Sequence, residues 1–168
     1  MVSACISRMI EYFGKDHKRI NHALKVHGFA EAIAGAEGLT GVKAEILLLS
    51  AVLHDIGIRE AESKYHSSAG SYQEIEGPPV AKNILQDCGA TPEMIDRVCY
   101  LVGNHHSYHR IDGLDFQILV EADFLVNIYE EGLDREAVFC VREKYFKTNR
   151  GLSIVDSMYL SQDRTQSE

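Results

Sequence analysis

The chain has 168 residues, 45% hydrophobic and 25% charged, a balance that fits a soluble folded domain and excludes general disorder. A chain of this size buries most of its apolar surface in one core, so a single domain is expected over residues 1–160, with 161–168 a disordered tail. The net charge of -8 excludes a broad footprint for a nucleic-acid polymer, which needs a basic face that releases counterions.

A small anionic substrate would then depend on local positive charge, and a bound cation can reverse the sign of its own surroundings. Cys5, Cys88, Cys99 and Cys140 are scattered without a CxxC pair, which points away from a zinc ribbon or a redox motif. The opening MVSACISRMIEYFGKD gains charge too early for a secretory signal, and no apolar run is long enough to span a bilayer. A cytoplasmic protein without membrane contact is the expectation.

Apolar residues recur at helical spacing, with neither a strand-like alternation nor an internal repeat, and this predicts an all-α fold. A first helix runs from Ser3 to Phe13 and stops at Gly14. A second runs from Lys18 to about Glu37, capped by Asp16 and ended by Gly38. Within it His22 shares a face with Val26, Phe29 and Ile33, while His27 shares one with Ile20, Leu24 and Ala34. Five residues apart, the two histidines point in different directions, and periodicity alone does not choose between them as a ligand.

After Thr40, GVKAEILLLSAVLHDIG is apolar on nearly every side and predicts a central buried helix ending near Gly57. His54 and Asp55 offer an imidazole and a carboxylate at its end. Adjacent helical side chains diverge by about 100°, so both reach one ion only near that terminus. The polar stretch from Arg59 to Gly77 predicts a long ordered loop or lid, in which Arg59 and Lys64 could close over an anion. Pro78 and Pro79 then mark a helix start, with the helix ending near Gly89.

Thr91, Pro92 and Glu93 supply the cap, first-turn proline and acidic first turn of a helix that reaches Gly103. Beyond the loop NHHSYHRIDG, the segment LDFQILVEADFLVNIYEEG predicts a second buried helix. Asp123 sits in its apolar middle and must find a partner there, since burying a lone carboxylate is costly. A helix over Asp134 to Lys147 and a short one near Gly151 to Leu160 complete the fold.

Taken in order, His22, then LHDIG with His54 and Asp55, then GNHHS, then EADFL with Asp123, resemble the HD-domain metal-dependent phosphohydrolases. In that family the first histidine precedes a valine by four positions, as His22 precedes Val26, so the resemblance favours His22 over His27. His54 and Asp55 match the pair that names the family, and Asp123 matches its final aspartate. The resemblance covers roughly Lys18 to Asn127. It implies a compact helical bundle around a divalent transition metal held by His22, His54, Asp55 and Asp123. Two imidazoles and two carboxylates suit Mn, Fe, Ni, Co or Zn, whereas an all-oxygen set would suit magnesium or calcium.

His105 and His106 stand where binuclear relatives carry ligands for a second metal. Glu76 stands where those relatives have a histidine, so a possible second site comprises Glu76, His105 and His106. The implied activity is hydrolysis of a small phosphate ester, foremost a nucleotide, by metal-activated water. Asp55 would orient that water, and His105 or His106 would stabilise charge or protonate the leaving oxygen. Lys25, three residues after His22, is a candidate phosphate contact, as are Arg59 and Lys64. Two other readings use the same ligands: a di-iron HD-type oxygenase, against which Glu76 counts, and a non-enzymatic nucleotide-sensing module, against which the intact ligand set counts. No motif identifies the substrate's base or the number of subunits.

Overall fold

In a computed structural model that describes residues 1–161, the chain forms α-helices, with no strand among the described residues. In chain order they are α1 (Val2–Phe13), α2 (His17–Ala36), α3 (Gly41–Leu53), α4 (Ile58–Tyr65), α5 (Gly70–Asp87), α6 (Pro92–Val102), α7 (Leu114–Glu130), α8 (Arg135–Tyr145) and α9 (Asn149–Val155). A 3₁₀ turn spans Tyr108–Arg110, and a single π-type turn, Asp156–Leu160, follows α9. Apart from Ser161, the expected tail lies outside the described residues. No helix among them is long and apolar enough to cross a membrane.

The helix starts follow local chemistry. Side-chain oxygens of Asp16, Thr91, Asp134 and Thr148 accept the backbone N–H of Arg19, Met94, Ala137 and Gly151, each satisfying a donor that the first turn leaves without an intrahelical partner. Gly14 and Gly89, at φ of 61° and 76°, turn the chain out of α1 and α5 in a conformation that glycine enters without a Cβ penalty.

Helices α2, α3 and α7 pack on one another and form the centre of the bundle. Leu47, Leu49 and Leu53 of α3 meet Phe116, Ile118, Leu119 and Leu125 of α7 in a core where none of these side chains reaches solvent. Each such burial contributes about 1.5–3 kcal/mol before the entropy of ordering is counted. Helix α7 also carries buried carboxylates, and each has partners. Asp115 takes two hydrogen bonds from the Arg97 guanidinium. Glu121 accepts from the backbone N–H groups of Lys147 and Thr148 and from the Thr148 hydroxyl. Asp123 belongs to the cluster described below.

The region from Arg59 to Gly77 corrects the sequence expectation. It is not a lid: α4 occupies its first part, residues 66–69 make a short connection, and α5 starts at Gly70. The polar composition reflects surface helices, since Ala61 is the one fully buried side chain of α4. Pro78 and Pro79 also lie inside α5 and do not begin it. Each removes a bond to the carbonyl four residues back, and small residues around them make the site crowded. A Cβ on Gly57 would stand 2.5 Å from the Gly77 nitrogen, and one on Gly103 would stand 2.9 Å from the Pro78 ring. The Gly-Pro-Pro stretch thus serves close packing of α5 against the Gly57 turn and the end of α6.

Candidate metal centre

The three histidines nearest the centre are each held through Nδ1. His54 Nδ1 lies 2.9 Å from the Ala51 carbonyl, His105 Nδ1 lies 2.8 Å from the Val102 carbonyl, and His22 Nδ1 lies 3.0 Å from Glu130 Oε2. A neutral ring that donates from Nδ1 presents Nε2 as a lone pair, the arrangement that orients metal-ligating histidines. The two carbonyl anchors come three residues back at helix ends, so the backbone itself aims His54 and His105.

Around these nitrogens the carboxylates close in. His22 Nε2 is 3.1 Å from His54 Nε2 and 3.1 Å from Asp123 Oδ1. Asp55 Oδ2 is 3.6 Å from His22 Nε2 and 3.5 Å from His54 Nε2, and His54 Nε2 is 3.6 Å from Asp123 Oδ1. Two imidazole lone pairs cannot face each other so closely unless a proton or a cation lies between them. Donors spaced this way match what is required when each lies about 2.0–2.2 Å from a shared transition-metal ion. The residue types and their spacing therefore fit a divalent metal, with His22 from α2, His54 and Asp55 from the end of α3, and Asp123 from α7.

Asp55 faces two ways. While Oδ2 addresses the first cluster, Oδ1 lies 3.3 Å from His105 Nε2, and Asp55, His105 and His106 form a second group with ligand spacing. His106 Nε2 is buried without a hydrogen-bond partner, an orphaned lone pair of the kind that calls for a ligand. Its ring lies so close to Gly70 that a Cβ there would stand 2.4 Å from it. Burial, reinforced by neighbouring His105, pushes the His106 pKa down to about 4. At neutral pH that ring is uncharged, suited to accepting or ligating and not to delivering a proton.

Several expected residues lie elsewhere. Glu76 does not meet His105 and His106, because its carboxylate is taken up by Lys64 Nζ and the Tyr65 hydroxyl. Helical spacing in α5 explains the difference: Tyr72 and Glu76 face α4, where Tyr72 stacks on Tyr65, while Gly70 and Glu74 face the histidines. Glu74, which the sequence reading passed over, accepts from the His106 backbone N–H and the Ser107 hydroxyl, both at 3.1 Å. Lys64 is thus committed to Glu76, and Arg59 turns to the Tyr12 carbonyl and ring, so neither closes over the centre. Lys25 stays nearby, 2.6 Å from Glu130 Oε1. His27 is half-buried and belongs to neither metal-capable group.

Sequence reasoning also missed Asn127 and Glu130. The Asn127 amide donates to Asp123 Oδ1 at 2.9 Å, and Glu130 joins His22 to Lys25. Asp123, Asn127 and Glu130 follow one another at helical spacing, so a polar stripe on an otherwise apolar helix was a readable signal. A cavity of about 440 Å³ opens over the cluster, with His22, Asp55, Asn127 and Glu130 in its wall. A larger hollow of about 860 Å³ beside α8 contains none of the cluster, and its Arg142 is already paired with Asp156, so the smaller cavity is the one relevant to chemistry.

Charge within the cluster gives it a distinct pH dependence. Burial opposes a charge on His54, but the nearby Asp55 and a hydrogen bond to Asp123 outweigh it and raise the pKa from 6.5 to about 9. His22 is raised for similar reasons, again against burial. Burial likewise favours neutral carboxyls, yet the facing histidines hold both Asp55 and Asp123 below their usual 3.8. The histidine contribution to metal-free stability is full below pH 6.5 and is lost as pH rises towards 9. The carboxylate contribution is full above 3.8 and is lost as pH falls below it. Metal needs neutral imidazoles, so its affinity rises over the same alkaline interval. Melting temperatures of chelator-treated protein should decline from pH 6.5 to 9, while the gain from saturating manganese grows. A metal-free protein that becomes steadily more stable over that interval would contradict the charged-cluster description.

A family model described as the HD domain matches residues 19–142. Searches of curated proteins and of solved structures give no match to this chain.

Proposed function

The chain belongs to the HD-domain family, whose members are in general metal-dependent phosphohydrolases, and on that premise we propose that it hydrolyses a small phosphate ester at the His22, His54, Asp55 and Asp123 cluster. The observation that carries this reading is the convergence of these four side chains, from three helices, at ligand spacing beneath an open cavity. Manganese, iron, nickel, cobalt or zinc suits the donor set. When bound, such a cation polarises a phosphoryl oxygen and lowers the pKa of water.

The side chains do the rest. Asp55 accepts a hydrogen bond from the attacking water and holds it in line with the phosphorus. His22 and His54 keep their Nε2 lone pairs aimed inward because Glu130 and the Ala51 carbonyl hold the opposite nitrogens. For His105 to pass a proton to the leaving oxygen its Nε2 must carry that proton, facing the Asp55 carboxylate, since neutral His106 has none to give. A second cation would find Asp55, His105 and His106, without Glu76.

The test is a panel of phosphomonoesters and phosphodiesters offered to manganese-loaded protein. Turnover of at least one class, abolished by chelator and restored by manganese, is expected. Metal-replete, folded protein that turns over none of them would overturn the hydrolase reading.

A further inference from the structure

The cavity over the cluster also constrains what the substrate carries, an inference that rests on the phosphohydrolase reading. Among the described residues no Phe, Tyr or Trp side chain lines it, and Ile58 is its one aliphatic wall residue. Protein sites that hold a nucleobase do so largely by stacking it on aromatic or apolar planes. This cavity has no such platform. Its wall instead presents the Asn127 amide, the Ser68 hydroxyl and carboxylates of Glu62, Glu130 and Glu131. Those groups are partners for alcohol hydroxyls, with the carboxylates accepting and the amide able to do both.

The charge of the wall limits the phosphate. Asp16, Asp55, Glu62, Glu130 and Glu131 stand against the cations Lys18 and Arg19. Arg19 is held by Asp16 at 2.8 Å and by Glu62 at 2.6 Å. Lys18, by contrast, makes no ion pair among the described residues. One phosphoryl group can be neutralised by the metal centre and Lys18. A second phosphate extending outward would meet Glu131, and Glu62 whose charge Arg19 already answers, so among the described residues no free cation on that side offsets the repulsion between like charges.

We propose that the substrate is the monophosphate ester of a small polyhydroxylated compound, a sugar or polyol phosphate, bound with its phosphate between the cluster and Lys18 and its hydroxyls against Ser68, Asn127 and the rim carboxylates. In the reaction the oxygen of one water bonds to phosphorus and the ester P–O bond breaks. One water proton passes to the leaving alkoxide oxygen, giving the free alcohol and inorganic phosphate. On this proposal the unstacked, acidic wall favours such an ester over the nucleotide that the family resemblance implies.

The experiment compares manganese-loaded protein on hexose 6-monophosphates, nucleoside 5′-monophosphates and nucleoside 5′-diphosphates, with p-nitrophenyl phosphate as a reference ester. Calorimetric titration with non-hydrolysable hexose and nucleoside phosphonates gives a second readout, independent of turnover. The expected kcat/KM for a hexose monophosphate exceeds that for a nucleoside monophosphate by about ten-fold, on the scale of one differential contact worth about 1.4 kcal/mol, with the diphosphate lowest. Phosphonate affinities follow the same order, and Lys18→Ala raises KM for the hexose monophosphate by about three- to five-fold, as loss of an exposed charge contact does. If p-nitrophenyl phosphate is turned over but a nucleoside mono- or diphosphate is preferred in turnover or binding, this inference fails and the phosphohydrolase reading stands. If no ester is turned over and neither phosphonate binds, both fail.

Discussion

Asp55→Asn lowers turnover of manganese-loaded protein by at least ~100-fold, the scale of losing a metal ligand or a preorganised electrostatic group, while the circular dichroism of the helices is retained. The substitution keeps size and shape but removes the one carboxylate that faces both groups. Oδ2 lies 3.6 and 3.5 Å from the His22 and His54 ring nitrogens, and Oδ1 lies 3.3 Å from His105. An amide would direct an N–H at one of those sides, where an acceptor is needed, and would weaken both the hold on metal and the orientation of water. Asp55 is half-buried just past the end of α3 and is not part of the apolar core, so the helices should survive the change. His27→Gln is the control: His27 lies outside the cluster, and its effect on metal affinity should be far smaller than that of His22→Gln. Metal binding lost in His27→Gln but intact in His22→Gln would assign the first ligand to the wrong histidine. A phosphatase activity indifferent to both His22→Gln and Asp55→Asn would not come from this centre.

Glu121→Ala destabilises the fold by about 3 kcal/mol or more, since each buried donor left without a partner costs about 1–3 kcal/mol. The Glu121 side chain is fully buried. Its oxygens accept from Lys147 N at 2.6 Å, Thr148 N at 2.9 Å and Gln117 Nε2 at 2.8 Å, as well as from the Thr148 hydroxyl. Thr148 in turn caps α9 through Gly151 N, so one carboxylate ties the start of α9 to the central helix. The packing leaves nothing to spare, as a Cβ on Gly151 would stand 1.9 Å from Glu121 Oε2. Urea denaturation of wild type and variant, fitted with a common slope, measures the difference. A loss under about 1 kcal/mol would mean that water or a shifted α9 replaces the lost bonds at little cost.

The contrast between Asp123 and Glu121 shows how far residue patterns carry. Both are acids in an apolar helix, and that setting alone requires each to have partners. Which partners they have depends on chain segments far away: His22 and His54 for one, residues 147 and 148 for the other. The buried helices α3 and α7 were legible because leucine-rich sequences apolar on all sides have few other ways to fold. Helix α4 was not, since IREAESKY keeps only Ala61 wholly inside and its polarity resembles a loop. That error carried forward, because a loop has no faces. Once residues 70–87 are helical, Glu74 turns to the histidines and Glu76 to Lys64, because two residues are about half a helical turn. The cavity wall was the least legible part. Lys18 lies on α2, Ser68 in the connection after α4 and Glu131 just past α7, and only the tertiary fold brings them to one rim.

Elemental analysis of the purified, folded protein after reloading tests the central claim most directly. His22, His54, Asp55 and Asp123 converge at ligand spacing, so about one transition-metal ion per chain should be retained after gel filtration, or more if the Asp55, His105 and His106 group is also filled. Protein that stays metal-free as purified and after reloading with manganese, iron, nickel, cobalt and zinc in turn would contradict the metal centre and the hydrolysis built upon it.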